Sequence, residues 1–125
     1  MDKWDVASLR FLEERIRADQ LNRGIVFMNG VLNAGSIGVM TRELLAAMDG
    51  GKIKVYLNSP GGDVGEALGI YDVIRGLTDQ GVETTVVGVG TVASAAVVIL
   101  QAAQKRLTLP NTQFMLHEVG RMSRG

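Results

Sequence analysis

Cysteine is absent from the 125-residue sequence, which excludes disulfides, thiolate metal sites and a cysteine nucleophile, and fits a reducing compartment. Neither sign of charge is in excess. With 13 Lys and Arg against 13 Asp and Glu, there is no electrostatic footprint for nucleic acid, an acidic partner or a membrane surface. No run reaches the ~18 apolar residues of a membrane span, and the charged opening Met1-Asp2-Lys3-Trp4-Asp5 lacks the apolar core of a signal peptide. A cytoplasmic location is therefore expected. Histidine occurs once, at His117, with no HExxH or CxxC pattern, so neither a metal nor a cofactor is expected. Proline is limited to two residues, whereas glycine, at 16, falls mostly between periodic segments, as turns in an ordered chain require.

The length suits one domain with a real core. Residues 1–22 read as an N-terminal amphipathic helix, with Leu9, Leu12 and Ile16 on one side and Glu13 and Arg17 spaced i,i+4 on the other. Residues 23–125 form the core. There Ile25–Met28 reads as a short strand, Ser36 as the cap of a helix burying Ile37, Met40, Leu44 and Met48, and residues 53–57 as a strand. Asp63 is placed to cap a helix carrying Val64, Leu68, Tyr71, Ile74 and Leu77. Thr84–Val89 is β-branched and strand-like, residues 93–104 read as a buried Ala-rich helix, and residues 107–109 and 113–116 as brief strands. Such alternation predicts an α/β fold with a mainly parallel sheet covered by helices.

Three features carry chemistry. Asn58-Ser59-Pro60-Gly61-Gly62 follows a strand directly, and its consecutive glycines can take positive φ and turn backbone N–H groups toward a ligand. It lacks the Lys and the spacing of a phosphate loop. Ser94 stands at a strand-to-helix junction, where the N–H of the next residue, Ala95, can face a developing oxyanion. His117, the sole histidine, ends a strand and is the only ordinary base available. Each has a plain structural reading: Ser94 eases helix packing, His117 is a core or surface residue, and the glycine pair is a simple turn. Together they read as a serine hydrolase.

Val55-Tyr56-Leu57-Asn58-Ser59-Pro60-Gly61-Gly62, Ile70-Tyr71-Asp72, Ala93-Ser94, Leu109-Pro110-Asn111 and Met115-Leu116-His117 occur in one order. In that order the chain, from about Gly24 to Gly120, resembles the ClpP-type serine peptidases, the proteolytic subunits of caseinolytic ATP-dependent proteases. The resemblance implies a crotonase-like fold of repeated ββα units, homo-oligomeric rings enclosing the active sites, unfolded polypeptides as substrates and an AAA+ unfoldase as partner. It further implies Ser94 as nucleophile and His117 as general base. The backbone N–H groups of Gly62 and Ala95 would form the oxyanion hole, and the substrate strand would lie along Gly61, Asp63 and Val64.

The sequence also departs from that pattern. The family's third triad member, an Asp, and a long helix at the contact between rings fall beyond Gly125, leaving Glu118 and Asp63 as stand-ins for the Asp. Ala95-Ala96 replaces a Met-Gly pair, the loop between Ala103 and Leu107 is shorter, and the N-terminal helix replaces an axial hairpin. If the absent helix normally covers apolar surface, this chain exposes an apolar patch and self-associates. The leading expectation is a serine endopeptidase; the alternative is an inactive structural or regulatory subunit or fragment. An acyl-CoA enzyme of the wider crotonase superfamily is a third reading, disfavoured by the serine and histidine in matching positions.

Overall fold

The computed structural model describes residues 5–116. Helix α1 spans Val6–Asn22 and is capped by Asp5, whose carboxylate accepts from the Ser8 N–H at 2.7 Å. Then follow β1 (Ile25–Asn29), α2 (Ser36–Ala47) with a single 3₁₀ turn behind it, β2 (Lys52–Ser59), α3 (Val64–Asp79), β3 (Glu83–Ala93), the short α4 (Ala96–Leu100), β4 (Lys105–Thr108) and β5 (Gln113–Met115). All strand pairs are parallel, in the order β1-β2-β3-β4, and β5 pairs with β3 as well. On the side away from β2, the eleven residues of β3 serve two further neighbours, Thr85–Gly88 lying beside β4 and Thr91–Ala93 beside β5.

Alternation along the strands sends Val26, Met28, Ile53, Val55, Leu57 and Val86 into one core with Leu44 of α2, Ile70 and Ile74 of α3 and Ile99 of α4. The opposite face is not covered by a described helix. Across it run two rows set by register, Ile25-Lys54-Thr85-Lys105 and Phe27-Tyr56-Val87-Leu107. Phe27 and Tyr56 stack with ring centroids 5.4 Å apart, yet Phe27 stays 48% exposed and Leu107 51%.

Several expectations need correcting. Helix α1 forms but buries none of its residues; Leu9, Leu12 and Ile16 are all exposed, and Leu21 near its end packs on the core. Arg17 pairs with Glu43 of α2 rather than with Glu13, because a tertiary partner lies within reach of its guanidinium. Ser36 is the first residue of α2, not its cap; Gly35, at φ +100°, takes the cap position, and the Ser36 hydroxyl instead accepts from the Asn33 N–H. On α3 the buried stripe is Ala67, Ile70, Ile74 and Leu77, while Val64 and Leu68 are exposed. Small Ala67, rather than the larger Leu68, sits on the packed side. The helix expected over 93–104 is only five residues long: Ala93 remains in the strand, Ser94 and Ala95 form a turn, and the helix stops at Leu100, with a turn and bend over 101–104.

Candidate active site

The C-terminal ends of β1, β2 and β3 converge, and open parallel sheets carry ligands at that end of their strands. Strand β2 stops at Ser59, a polar residue only 1% exposed. Its hydroxyl is satisfied by accepting from the Gly61 N–H at 3.1 Å, which bends the chain sharply around Pro60. Gly61 and Gly62 then take φ +101° and +139°, the region that favours glycine. Space imposes the same choice. A Cβ on Gly61 would sit 2.7 Å from the Ala93 carbonyl oxygen and 2.8 Å from the Ser94 Cβ, and one on Gly62 would sit 2.2 Å from the Leu32 carbonyl oxygen.

The loop after β1 clamps the other side of this turn. Leu32 and Gly62 form an isolated parallel bridge, in which the Leu32 N–H donates to the Gly61 oxygen and the Asp63 N–H to the Leu32 oxygen, both at 2.8 Å. In a parallel bridge those two bonds engage the neighbours of Gly62, so its own N–H points away from Leu32. No acceptor for that N–H appears among the described residues.

Ser94 is the only non-glycine among the described residues with positive φ, at +54°. This left-handed geometry costs an L-residue about 1–2 kcal/mol. The Ser94 N–H donates to the Met115 oxygen at 2.6 Å, tying the turn to the end of β5. The next N–H, that of Ala95, also finds no acceptor among the described residues and lies 3.2 Å from the site a Gly61 Cβ would occupy. The serine, the glycine turn and two unpaired N–H groups thus share one corner of the sheet. Asp63 caps α3 by accepting from the Glu66 N–H at 2.9 Å, and Val64 opens that helix with its side chain exposed.

Of the residues singled out in the sequence, the fold brings Gly61, Gly62, Ser94 and Ala95 together and sets Asp63 and Val64 at the exit of the turn. His117 and Glu118 lie outside the described residues, His117 two positions after Met115 in the chain. The carboxylate of Asp63 is engaged in its cap, which disfavours it as a partner for a histidine. Among the described residues, no group of three or more His, Cys, Asp or Glu could hold a metal ion, and no helix is long and apolar enough to cross a membrane. Two contributors escaped the sequence reading: Ser59, whose buried hydroxyl shapes the turn, and Leu32, which pairs with Gly62 across 30 positions of sequence. The Ser59-x-Gly61 spacing of a hydroxyl-stabilised turn was a usable signal for the first; the second left none.

The all-parallel α/β fold has solved counterparts. The chain superposes on the ClpP protease catalytic domain from Plasmodium falciparum with a TM-score of 0.75 and 28% identity, covering 94% of this chain and 64% of that one. ClpP1 from Listeria monocytogenes gives 0.71 and 27%, covering 90% and 69%. In sequence, an ATP-dependent Clp protease proteolytic subunit 3 from Rhizobium etli is 36% identical over 104 residues, which is 80% of this chain and 52% of that protein. The proteolytic subunit from Carsonella ruddii is 31% identical over 113 residues, 87% of this chain and 56% of its own length. Residues 13–125 match the Clp protease family, and the chain belongs to it. It spans about half the length of these two curated relatives.

Proposed function

We propose that the chain is a ClpP-like serine endopeptidase domain acting on unfolded polypeptides. The observation that carries this reading is the positive-φ Ser94 pressed against the Gly61–Gly62 turn. Strain at a single polar side chain beside unpaired N–H groups is how a fold holds a nucleophile ready. In the proposed reaction the Ser94 hydroxyl adds to the peptide carbonyl carbon while His117 accepts its proton. The carbonyl oxygen, now an oxyanion, takes hydrogen bonds from the Gly62 and Ala95 N–H groups. Collapse breaks the C–N bond as His117 returns the proton to the leaving amine. Water, deprotonated by the same histidine, then releases the acyl group from Ser94. The substrate strand runs along Gly61, Asp63 and Val64, beside the Gly62 N–H for which no acceptor appears among the described residues.

Membership of the Clp protease family supports two wider parts of the reading: assembly of copies into a closed homo-oligomer, and supply of substrate by an AAA+ unfoldase in the cytoplasm. Exposed Phe27, Leu107, Phe114 and Leu116 supply apolar surface for self-association.

The test is intact mass after exposure to a fluorophosphonate, for the chain and for Ser94→Ala. A single adduct on the chain and none on the variant is the expected result. A folded chain that takes no adduct would favour the alternative, a structural or regulatory subunit without chemistry of its own.

A further inference from the structure

Strand β3 carries an insertion just before the nucleophile turn. β2 and β3 run in step from Lys52↔Glu83 to Leu57↔Gly88 and pair again at Ser59↔Val92. Between those two pairs β2 has one residue, Asn58, whereas β3 has three, Val89, Gly90 and Thr91. Such a bulge breaks the ladder, leaves backbone groups in need of partners and re-aims the strand beyond it. Here the strand beyond it is Thr91–Ala93, which pairs with β5 where the earlier part of β3 pairs with β4, and which leads directly into Ser94.

Asn58 spans the gap. Its side-chain Oδ1 accepts from the Thr91 N–H at 3.2 Å, and its backbone oxygen accepts from the Gly30 N–H at 3.0 Å. Gly90, at φ +71°, makes the approach feasible, since a Cβ there would sit 3.2 Å from the same Oδ1. One residue therefore joins the loop that clamps Gly62, the strand that leads into the glycine turn, and the bulge that leads to Ser94.

We propose that Asn58 is a positioning residue for Ser94: its side-chain carbonyl fixes the bulge of β3 and so sets where the serine meets the Gly61–Gly62 turn. The inference rests on the serine-hydrolase reading above. What the site requires of residue 58 is an acceptor oxygen, so a carboxylate should serve where a methyl group cannot. The bond to Thr91 is solvent-exposed, so its loss should act on geometry far more than on stability.

The experiment compares Asn58→Ala and Asn58→Asp in the full chain, with Asn58→Ser, whose hydroxyl falls short of Thr91, standing in should the alanine variant not fold. Three quantities are read: the saturating rate of fluorophosphonate labelling, the probe concentration giving half that rate, and amide hydrogen exchange through residues 88–95. Asn58→Ala is expected to lower the saturating rate by about tenfold or more, as small misplacements of reacting groups do, with the half-saturating concentration and the melting temperature nearly unchanged. Asn58→Asp should label within about threefold of the parent, the rescue expected when only an acceptor is required. Exchange at Thr91 and onward to Ser94 should quicken in the alanine variant and not in the aspartate one. Parent-like labelling of Asn58→Ala, or equal loss in both variants, overturns the proposal. If the parent itself takes no label, the hydrolase reading fails separately and the exchange data decide: quickening confined to Thr91 in Asn58→Ala overturns the positioning role, and quickening that reaches Ser94 upholds it.

Discussion

Gly61 lies so close to Ser94 that a Cβ on the glycine would stand 2.8 Å from the serine's own Cβ. Two turns far apart in sequence thus meet with no side chain between them. Replacing Gly61 with Ala forces a methyl group into that contact and imposes φ +101° on an L-residue. Gly61→Ala is expected to lose about 1–3 kcal/mol of stability and at least about tenfold in fluorophosphonate labelling. Denaturant melts and labelling rates measure the two effects separately.

Ser59 allows the same turn to be perturbed by removing a hydrogen bond instead of adding bulk. With its hydroxyl gone, the Gly61 N–H loses its partner inside the fold. Ser59→Ala should cost about 1–3 kcal/mol, the usual consequence of an orphaned buried donor, and should slow labelling because the turn no longer holds one conformation. Unchanged melting would mean that water replaces the hydroxyl.

His117 is tested through chemistry. As the proposed base, its removal in His117→Ala should slow labelling of Ser94 by on the order of a thousandfold, with little change in melting temperature. Labelling at the parent rate would remove it from the mechanism.

Self-association is expected from the apolar side chains that stay exposed on the open sheet face and around β5. Light scattering at micromolar concentration should report a species heavier than 13.4 kDa, and Phe27→Ser should shift it toward the single chain. A well-behaved monomer would count against both the ring and the expected apolar patch.

How far the sequence spoke depends on the range of the interaction involved. Local chemistry was legible: Asp63 as a cap, Gly61 and Gly62 as residues of positive φ, Ser94 at a junction. Each follows from the residue and its immediate neighbours, and so does the alternation of strands and helices. Periodicity placed α3 and, with Ile74, Leu77 and partly buried Tyr71, the later turns of its packed face, but not the first turns, where Ala67 and Ile70 are buried and Val64 and Leu68 are exposed. In α1 an apolar stripe at helical spacing suggested burial, yet nothing described covers Leu9, Leu12 or Ile16. The Leu32–Gly62 bridge and the Asn58–Thr91 bond join residues about thirty positions apart. Their existence depends on register, and register is a property of the assembled sheet. The bulge in β3 had one trace in the sequence, Gly90, which merely bounded the strand read over Thr84–Val89.

The backbone angle at Ser94 bears on how this gene product has been shaped. At φ +54° a glycine would rest without penalty, and Ser94→Gly should be as stable as the parent or more so by about 1 kcal/mol. Random substitution in a chain whose chemistry no longer mattered would tend to settle on the relaxed residue. Under the hydrolase reading proposed above, serine at this position forgoes that relaxation in return for a hydroxyl held against the glycine turn.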